Sequence, residues 1–213
     1  QPQPTTTDMG LKILGKASSI NVRKVLWTCH ELGLAVGRED WGSGFQPTET
    51  PAFRALNPNA MVPVLVERDD TGAAADFVLW ESNTICRYLA ARERRSDLLP
   101  QDLRERARVE QWMDWANYET SISLRGAFLG GMLNEPPWNH PWFIEQGRRQ
   151  ITKEVGQLEA HMQKVGPYIT GDTFTIGNNT TGRNDNRNAL QLSGMQTGLN
   201  ALSGSANYQD AYA

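Results

Sequence analysis

The sequence predicts a two-part chain: an α/β domain on a mixed sheet, followed by an all-helical domain. Three observations predict it. Apolar spacing alternates between strand and helix through the first 94 residues. The segment Arg95-Ser96-Asp97-Leu98-Leu99-Pro100 then interrupts the pattern, and the apolar-periodic stretches beyond it have helical spacing only. Leu11-Lys12-Ile13-Leu14 reads as a short strand. Residues 21–34 read as a helix, with Val22, Val25, Leu26, Cys29 and Leu32 on one stripe and Gly33 near its end. Asp40-Trp41 belongs to a second, weaker strand, and residues 48–56 form a short helix stopped by Asn57-Pro58. Two strands, 64–67 and 77–80, flank the turn signal Asp69-Asp70-Thr71-Gly72, and a third helix covers residues 82–94. The second part opens with a long helix over about 103–132, with Trp112, Trp115, Tyr118 and Ile122 along one flank. Pro136-Pro137-Trp138 breaks it before another long helix over 142–165.

At 213 residues the chain is long enough to bury a core, as one large domain or two small ones. Hydrophobic residues make up 39% and charged residues 21%, the balance of a soluble globular protein. No apolar run approaches the roughly 18 residues of a membrane span. A net charge of −3 gives no electrostatic footprint for nucleic acid. The arginines between Arg92 and Arg108 alternate with Glu93, Asp97, Asp102 and Glu105, as on a solvated helical face. Cys29 and Cys86 lie far apart in apolar-periodic segments, which suits buried, reduced thiols in a cytoplasmic protein. His30, His140 and His161 have no metal-ligand spacing, and no metal is expected.

The chemistry concentrates in two short motifs. In Met61-Val62-Pro63-Val64 a proline opens an apolar strand, where it cannot donate to a ladder. That predicts a kink, a cis bond being one form of it, with the backbone of Val62 exposed at a sheet edge. Such an edge pairs with an extended peptide. Eighteen residues after the proline, Glu81-Ser82-Asn83 follows the strand Phe77-Val78-Leu79-Trp80 and opens a helix. Free N–H groups and a hydroxyl at that terminus suit a carboxylate. One peptide edge and one carboxylate socket point to a small peptide ligand.

These residues resemble the soluble glutathione transferases. The resemblance rests on Ser19-Ile20-Asn21-Val22-Arg23-Lys24-Val25 opening the first helix, Asn57-Pro58 before Val62-Pro63, and Trp80-Glu81-Ser82-Asn83. Gln111-Trp112-Met113-Asp114-Trp115 is similar to the bacterial branch, and the likeness covers about residues 10–176. It implies a thioredoxin-like N-terminal domain that binds glutathione and a helical C-terminal domain that receives an electrophile, in a cytoplasmic homodimer serving detoxification. Glutathione would be a co-substrate, with no other cofactor. By position, Val62 beside Pro63 would pair with the cysteinyl part of glutathione. Glu81 would face the γ-glutamyl ammonium, and Ser82 would hold its carboxylate. Ser19 stands where the family has its catalytic serine, with Asn21 as a second donor and Ser18 as the nearest competitor. Ser-x-Asn resembles the nu-like bacterial members, which favours disulfide reduction, and the theta- and delta-like serine enzymes as well. Trp112, Trp115 and Arg125 are candidates for the electrophile pocket.

Each residue also has a plainer reading. Ser19 or Asn21 serves equally as a helix cap, Glu81-Ser82 as an ordinary helix start, and the tryptophans as core. Where the family often places Lys or Gln before Val-Pro, this chain has Met61, so the glycyl carboxylate falls to Asn59, Gln46 or another residue. The family's Ser/Thr-x-x-Asp box is here Thr175-Ile176-Gly177-Asn178, ending in asparagine, and residues 177–213 are rich in Asn, Gly, Ser and Thr. That tail reads as poorly packed, or as inconsistent with the domain before it. The expected organisation is a disordered leader over 1–9, the glutathione-binding domain over 10–94, a linker over 95–105, a helical domain over 106–176 and the atypical tail over 177–213. The competing functional reading is a transferase-like binding or interaction module without catalysis. Lack of a Cys-x-x-Cys pair disfavours a dithiol oxidoreductase.

Overall fold

The computed structural model describes residues 10–69 and 75–181. The leader, most of the turn after Asp69 and the tail from residue 182 lie outside the described residues. The chain divides into two compact units between Pro100 and Gln101.

The first unit is a four-stranded sheet in the order β2-β1-β3-β4, formed by β1 (Leu11–Leu14), β2 (Gly37–Glu39), β3 (Val64–Glu67) and β4 (Phe77–Trp80). β1 runs parallel to β2 and antiparallel to β3, and β3 pairs antiparallel with β4 from Val64↔Trp80 to Glu67↔Phe77. With α1 (Ile20–Leu32), α2 (Pro51–Leu56) and α3 (Ser82–Arg92), this is the thioredoxin-like arrangement. The pleat decides the two faces. Leu14 and Val64 join Phe53 of α2 in one cluster, flanked by Trp41, Val62 and Trp80. Ile13 and Leu65 point the other way and are fully buried, as are Val22 and Val25 of α1 and Ile85 and Leu89 of α3.

Several boundaries differ from the sequence expectation. The second strand is Gly37–Glu39, not Asp40-Trp41. It is held by parallel pairing with β1 and by the Lys12–Glu39 ion pair, which an apolar pattern cannot register. Trp41 instead forms an isolated bridge with Gln46. α2 starts at Pro51 rather than near residue 48, because Thr50 caps it by accepting from the Phe53 N–H at 3.2 Å and Pro51 suits the first turn. α1 ends at Leu32, where Gly33 takes the left-handed conformation (φ 68°) and the Leu34 N–H returns to the Cys29 carbonyl. The stretch before Pro100 is packed: Arg95 donates to the Glu31 carbonyl, and Leu98 and Leu99 are buried.

The second unit is helical, and its first helix is not continuous over 103–132. α4 (Leu103–Trp115), capped by Asp102, passes into a π-helical stretch, Ala116–Thr120. α5 (Ser121–Leu124) and a second π-helical stretch, Arg125–Gly130, follow. Thr120 and Ser123 bond back to the carbonyls four residues before them, a contact that loosens and bends a helix. The wider turns rotate the following residues off a 3.6-residue stripe. Trp112 and Trp115 therefore pack against Leu158, Met162 and Ile169, whereas Tyr118 and Ile122, expected on the same flank, are exposed. The second π stretch lies tight against α6 (Pro141–Val165): a Cβ on Gly126 would collide with the Phe143 carbonyl.

The helical unit continues past residue 176. α7 spans Ile176–Thr181, with Ile176, Gly177 and Asn178 buried. The Thr175 N–H donates to Asn178 Oδ1 at 3.1 Å, so asparagine closes the capping box in place of aspartate: the acceptor it needs is an oxygen, not a charge. Asn178→Ala is expected to lower stability by about 1 kcal/mol, read as a fall in the urea midpoint. An unchanged midpoint would show that packing alone holds α7.

Candidate functional site

The end of β1, the first turn of α1 and the segment before β3 converge at Gly15. Its φ of 148° suits glycine, and a Cβ there would lie 2.5 Å from Val22 Cγ2 and 3.0 Å from Val62 Cβ. From this crossing the chain turns through Lys16 to Ser19, whose N–H donates to the Lys16 carbonyl at 3.1 Å. Ser19 has extended backbone at the N-cap of α1, but its hydroxyl makes no capping bond. The half-buried hydroxyl is thus left at the positive end of a 13-residue helix. Ser18 is exposed.

The Val62–Pro63 bond is cis. No backbone hydrogen bond involves Val62 among the described residues, while its side chain packs into the cluster beneath the sheet. Asn57, which stops α2 and stands in the Asn57-Pro58 pair ahead of Val62-Pro63, braces this segment. It is buried, its Nδ2 donates to the Met61 carbonyl at 2.8 Å, and its Oδ1 accepts from the Asn59 N–H at 3.0 Å. Met61 and Asn59 are exposed.

The second motif lies at the start of α3. Glu81 has φ 74° and ψ 111°, an unfavourable region for a residue with a Cβ, and is exposed. Ser82, next to it, is buried, and its hydroxyl donates to Asn21 Oδ1 at 3.4 Å. The structure therefore brings Asn21 to Ser82, joining the first turns of α1 and α3. Two buried polar residues that sequence reasoning missed lie one step deeper: Lys24 Nζ donates to Asn83 Oδ1 at 3.2 Å. Burial pushes the Lys24 ammonium below the ordinary lysine range, opposed by Cys86 and Glu81. Lys24 lies off the apolar stripe of α1, on the flank it shares with Asn21 and Thr28, where an apolar pattern assigns a lysine to solvent.

The candidate electrophile residues have partners within the helical unit. The Trp112 and Trp115 rings meet edge to face at 5.3 Å on the core cluster, and the Arg125 guanidinium lies 5.5 Å from the Trp138 ring centre. No metal-binding group of side chains occurs among the described residues. No helix among them is long and apolar enough to cross a membrane.

A family model described as the glutathione S-transferase N-terminal domain matches residues 18–92. Glutathione S-transferase GstB of Escherichia coli (strain K12) is 36% identical over 167 residues, which are 78% of this chain and 77% of that protein. The chain belongs to the glutathione transferase family. The theta class glutathione S-transferase from Xanthomonas axonopodis pv. citri, solved with glutathione bound, is a structural neighbour at 31% identity. Its TM-score is 0.71, covering 96% of this chain and 95% of that one. Disulfide-bond oxidoreductase YfcG of E. coli (strain K12) is 26% identical over 149 residues, 68% of this chain and 65% of that protein.

The two cysteines of this transferase-family chain are unsuited to attack. Both are buried and free. Burial pushes the Cys29 thiol up to about 12, and burial raises Cys86 as well, although Thr28 Oγ1 lies 3.1 Å from its sulfur. A raised thiol pKa keeps the neutral form at pH 8. Native protein is expected to consume no disulfide reagent at that pH and two equivalents after unfolding in guanidinium. Rapid reaction of the native protein would contradict this burial.

Proposed function

We propose that the protein is a glutathione transferase of the serine type that activates the thiol of glutathione for attack on small electrophiles. One observation carries the reading: the Ser19 hydroxyl, free of capping duty, stands at the N-terminus of α1. In the same unit are an unpaired backbone edge at Val62 and a carboxylate socket at Ser82. In this reading glutathione lies along the edge, with the Val62 N–H and carbonyl bonded to its cysteinyl part. The Ser82 N–H and its hydroxyl, which turns from Asn21 Oδ1 to the ligand, hold the γ-glutamyl carboxylate, and Glu81 faces the ammonium beside it.

The chemistry follows from the thiol. Near pKa 8.5 it is mostly protonated at neutral pH, and only the thiolate attacks well. A hydroxyl donated to the sulfur, with the positive end of α1, favours the anion. The proton leaves to solvent. The sulfur lone pair then forms the C–S bond while the electrophile's leaving group departs with its own electron pair. Each unit of pKa depression needs about 1.4 kcal/mol, within reach of one charge-assisted hydrogen bond. Asn21, tied to Ser82 through Oδ1, keeps its amide N–H groups as further donors. Disulfide reduction or peroxidase activity is the side reaction we propose, supported by Ser19-x-Asn21 and by the name of the YfcG relative.

Asn59 or Gln46 is proposed for the glycyl carboxylate, since the Met61 side chain is apolar. Trp112, Trp115 and Arg125 remain proposals for the electrophile side. Cytoplasmic location, detoxification and a homodimer are proposed on the family's pattern alone. A non-catalytic interaction module is the competing reading. The Thr175–Asn178 bond weakens one part of its sequence argument, the altered capping box; the other part, the sparse apolar pattern beyond it, lies outside the described residues.

Ser19→Ala is expected to lower the conjugation rate with a chromogenic electrophile by about ten- to a hundredfold, the range of one lost hydrogen bond to a charged group. Glutathione affinity by calorimetry should change little. Ser82→Ala should do the reverse, weakening glutathione about tenfold for one lost charge-assisted bond. Failure of the parent protein to bind millimolar glutathione would favour the interaction module.

A further inference from the structure

The seam between α1 and α3 is polar where the two helices begin. Asn21 meets Ser82 at 3.4 Å, Lys24 meets Asn83 at 3.2 Å, and Thr28 meets Cys86 at 3.1 Å. Residues 21, 24 and 28 are spaced three and four apart, so they share one face of α1. The Thr28 hydroxyl also bonds back to the Lys24 carbonyl at 3.0 Å. Alongside this seam the same helices pack with Val25, Ile85 and Leu89, which are fully buried and would serve cohesion without polar groups.

Lys24 is the costly member. Lysine ordinarily runs its stem over apolar surface and keeps its ammonium in water. Here the residue is 7% exposed, whereas its neighbour Arg23 is exposed. A buried ammonium destabilises a fold unless it is well partnered. Its partner is the second residue of α3, next to the serine that would receive a carboxylate. The charge thus lies behind a helix N-terminus, where it adds to a field already favourable to an anion.

We propose that Lys24 is a positioning residue for the glutathione site. Through Asn83 it holds the first turn of α3 so that the Ser82 hydroxyl and N–H meet the γ-glutamyl carboxylate. The inference rests on the reading of Glu81-Ser82 as the γ-glutamyl anchor. It adds the device that sets that anchor's place relative to Ser19 on α1.

The test uses the full chain and two ligands: glutathione, and γ-aminobutyryl-cysteinyl-glycine, which lacks only the γ-glutamyl carboxylate. In calorimetry Lys24→Met is expected to weaken glutathione by about tenfold. The analogue should weaken by less than about twofold, because the lost arrangement acts on the missing group. Equal weakening of both ligands would mean a general structural role and would overturn the proposal. So would unchanged glutathione affinity. Should Lys24→Met not fold, Asn83→Ala is expected to give the same selective loss, and a non-selective or absent effect there counts against the proposal in the same way. Parent protein that binds no glutathione refutes the site reading itself, a result distinct from a parent that binds and a variant that does not discriminate.

Discussion

The crossing at Gly15 is the constraint on which the site depends. Three pieces of chain meet within van der Waals distance there: the end of β1, Val22 of α1 and Val62 ahead of β3. Any side chain at that position would push α1 away from the peptide edge, so the distance between Ser19 and Val62 is set by what Gly15 lacks. The sheet contributes rigidity. Ile13 and Leu65 bury one face against helices, while Leu14 and Val64 bury the other against Phe53, so β1 and β3 cannot shift by one residue without exchanging their faces. A reactive geometry built on two strand ends and two helix N-termini keeps its spacing because these elements are packed, not because its loops are stiff.

The proposed site combines backbone and side-chain groups whose ordinary structural uses are unfilled. Ser19 is at an N-cap but does not cap, and Val62 adjoins a strand but does not pair. Glu81 departs from favoured backbone space at the entry to α3, and the hydroxyl of the buried Ser82 meets the side chain of Asn21. Strain and unfilled bonding capacity concentrated in one place are what a binding site needs, and the surrounding core bears their cost. The thiols nearby are the opposite case: buried, neutral and occupied with packing.

Much of this was legible in the sequence, for identifiable reasons. Long amphipathic stretches such as α1, α3 and α6 show themselves through apolar period. Pro63 and Glu81-Ser82 show themselves because proline and helix-start chemistry are position-specific. Features determined by backbone pairing or by a single oxygen were not legible. β2 is Gly-Arg-Glu, with no apolar signal, and exists because β1 offers it a parallel partner. The π-helical turns leave no mark on a 3.6-residue count. Asn178 looked like a broken box because aspartate is the usual residue, although an amide oxygen accepts the same bond. The buried roles of Lys24, off the apolar stripe of α1, and of Asn57, at the end of a short helix, leave no mark in the apolar pattern, which does not reveal whether a polar side chain points inward.

The proposed chemistry requires that the mouth of α1 favour the sulfur anion of a bound tripeptide. Ultraviolet titration of the thiolate in the glutathione complex reads this directly. The expected midpoint lies at least about one unit below the ordinary thiol value near 8.5, with most of that shift lost in Ser19→Ala. Coincident titration curves for free and bound glutathione would contradict it.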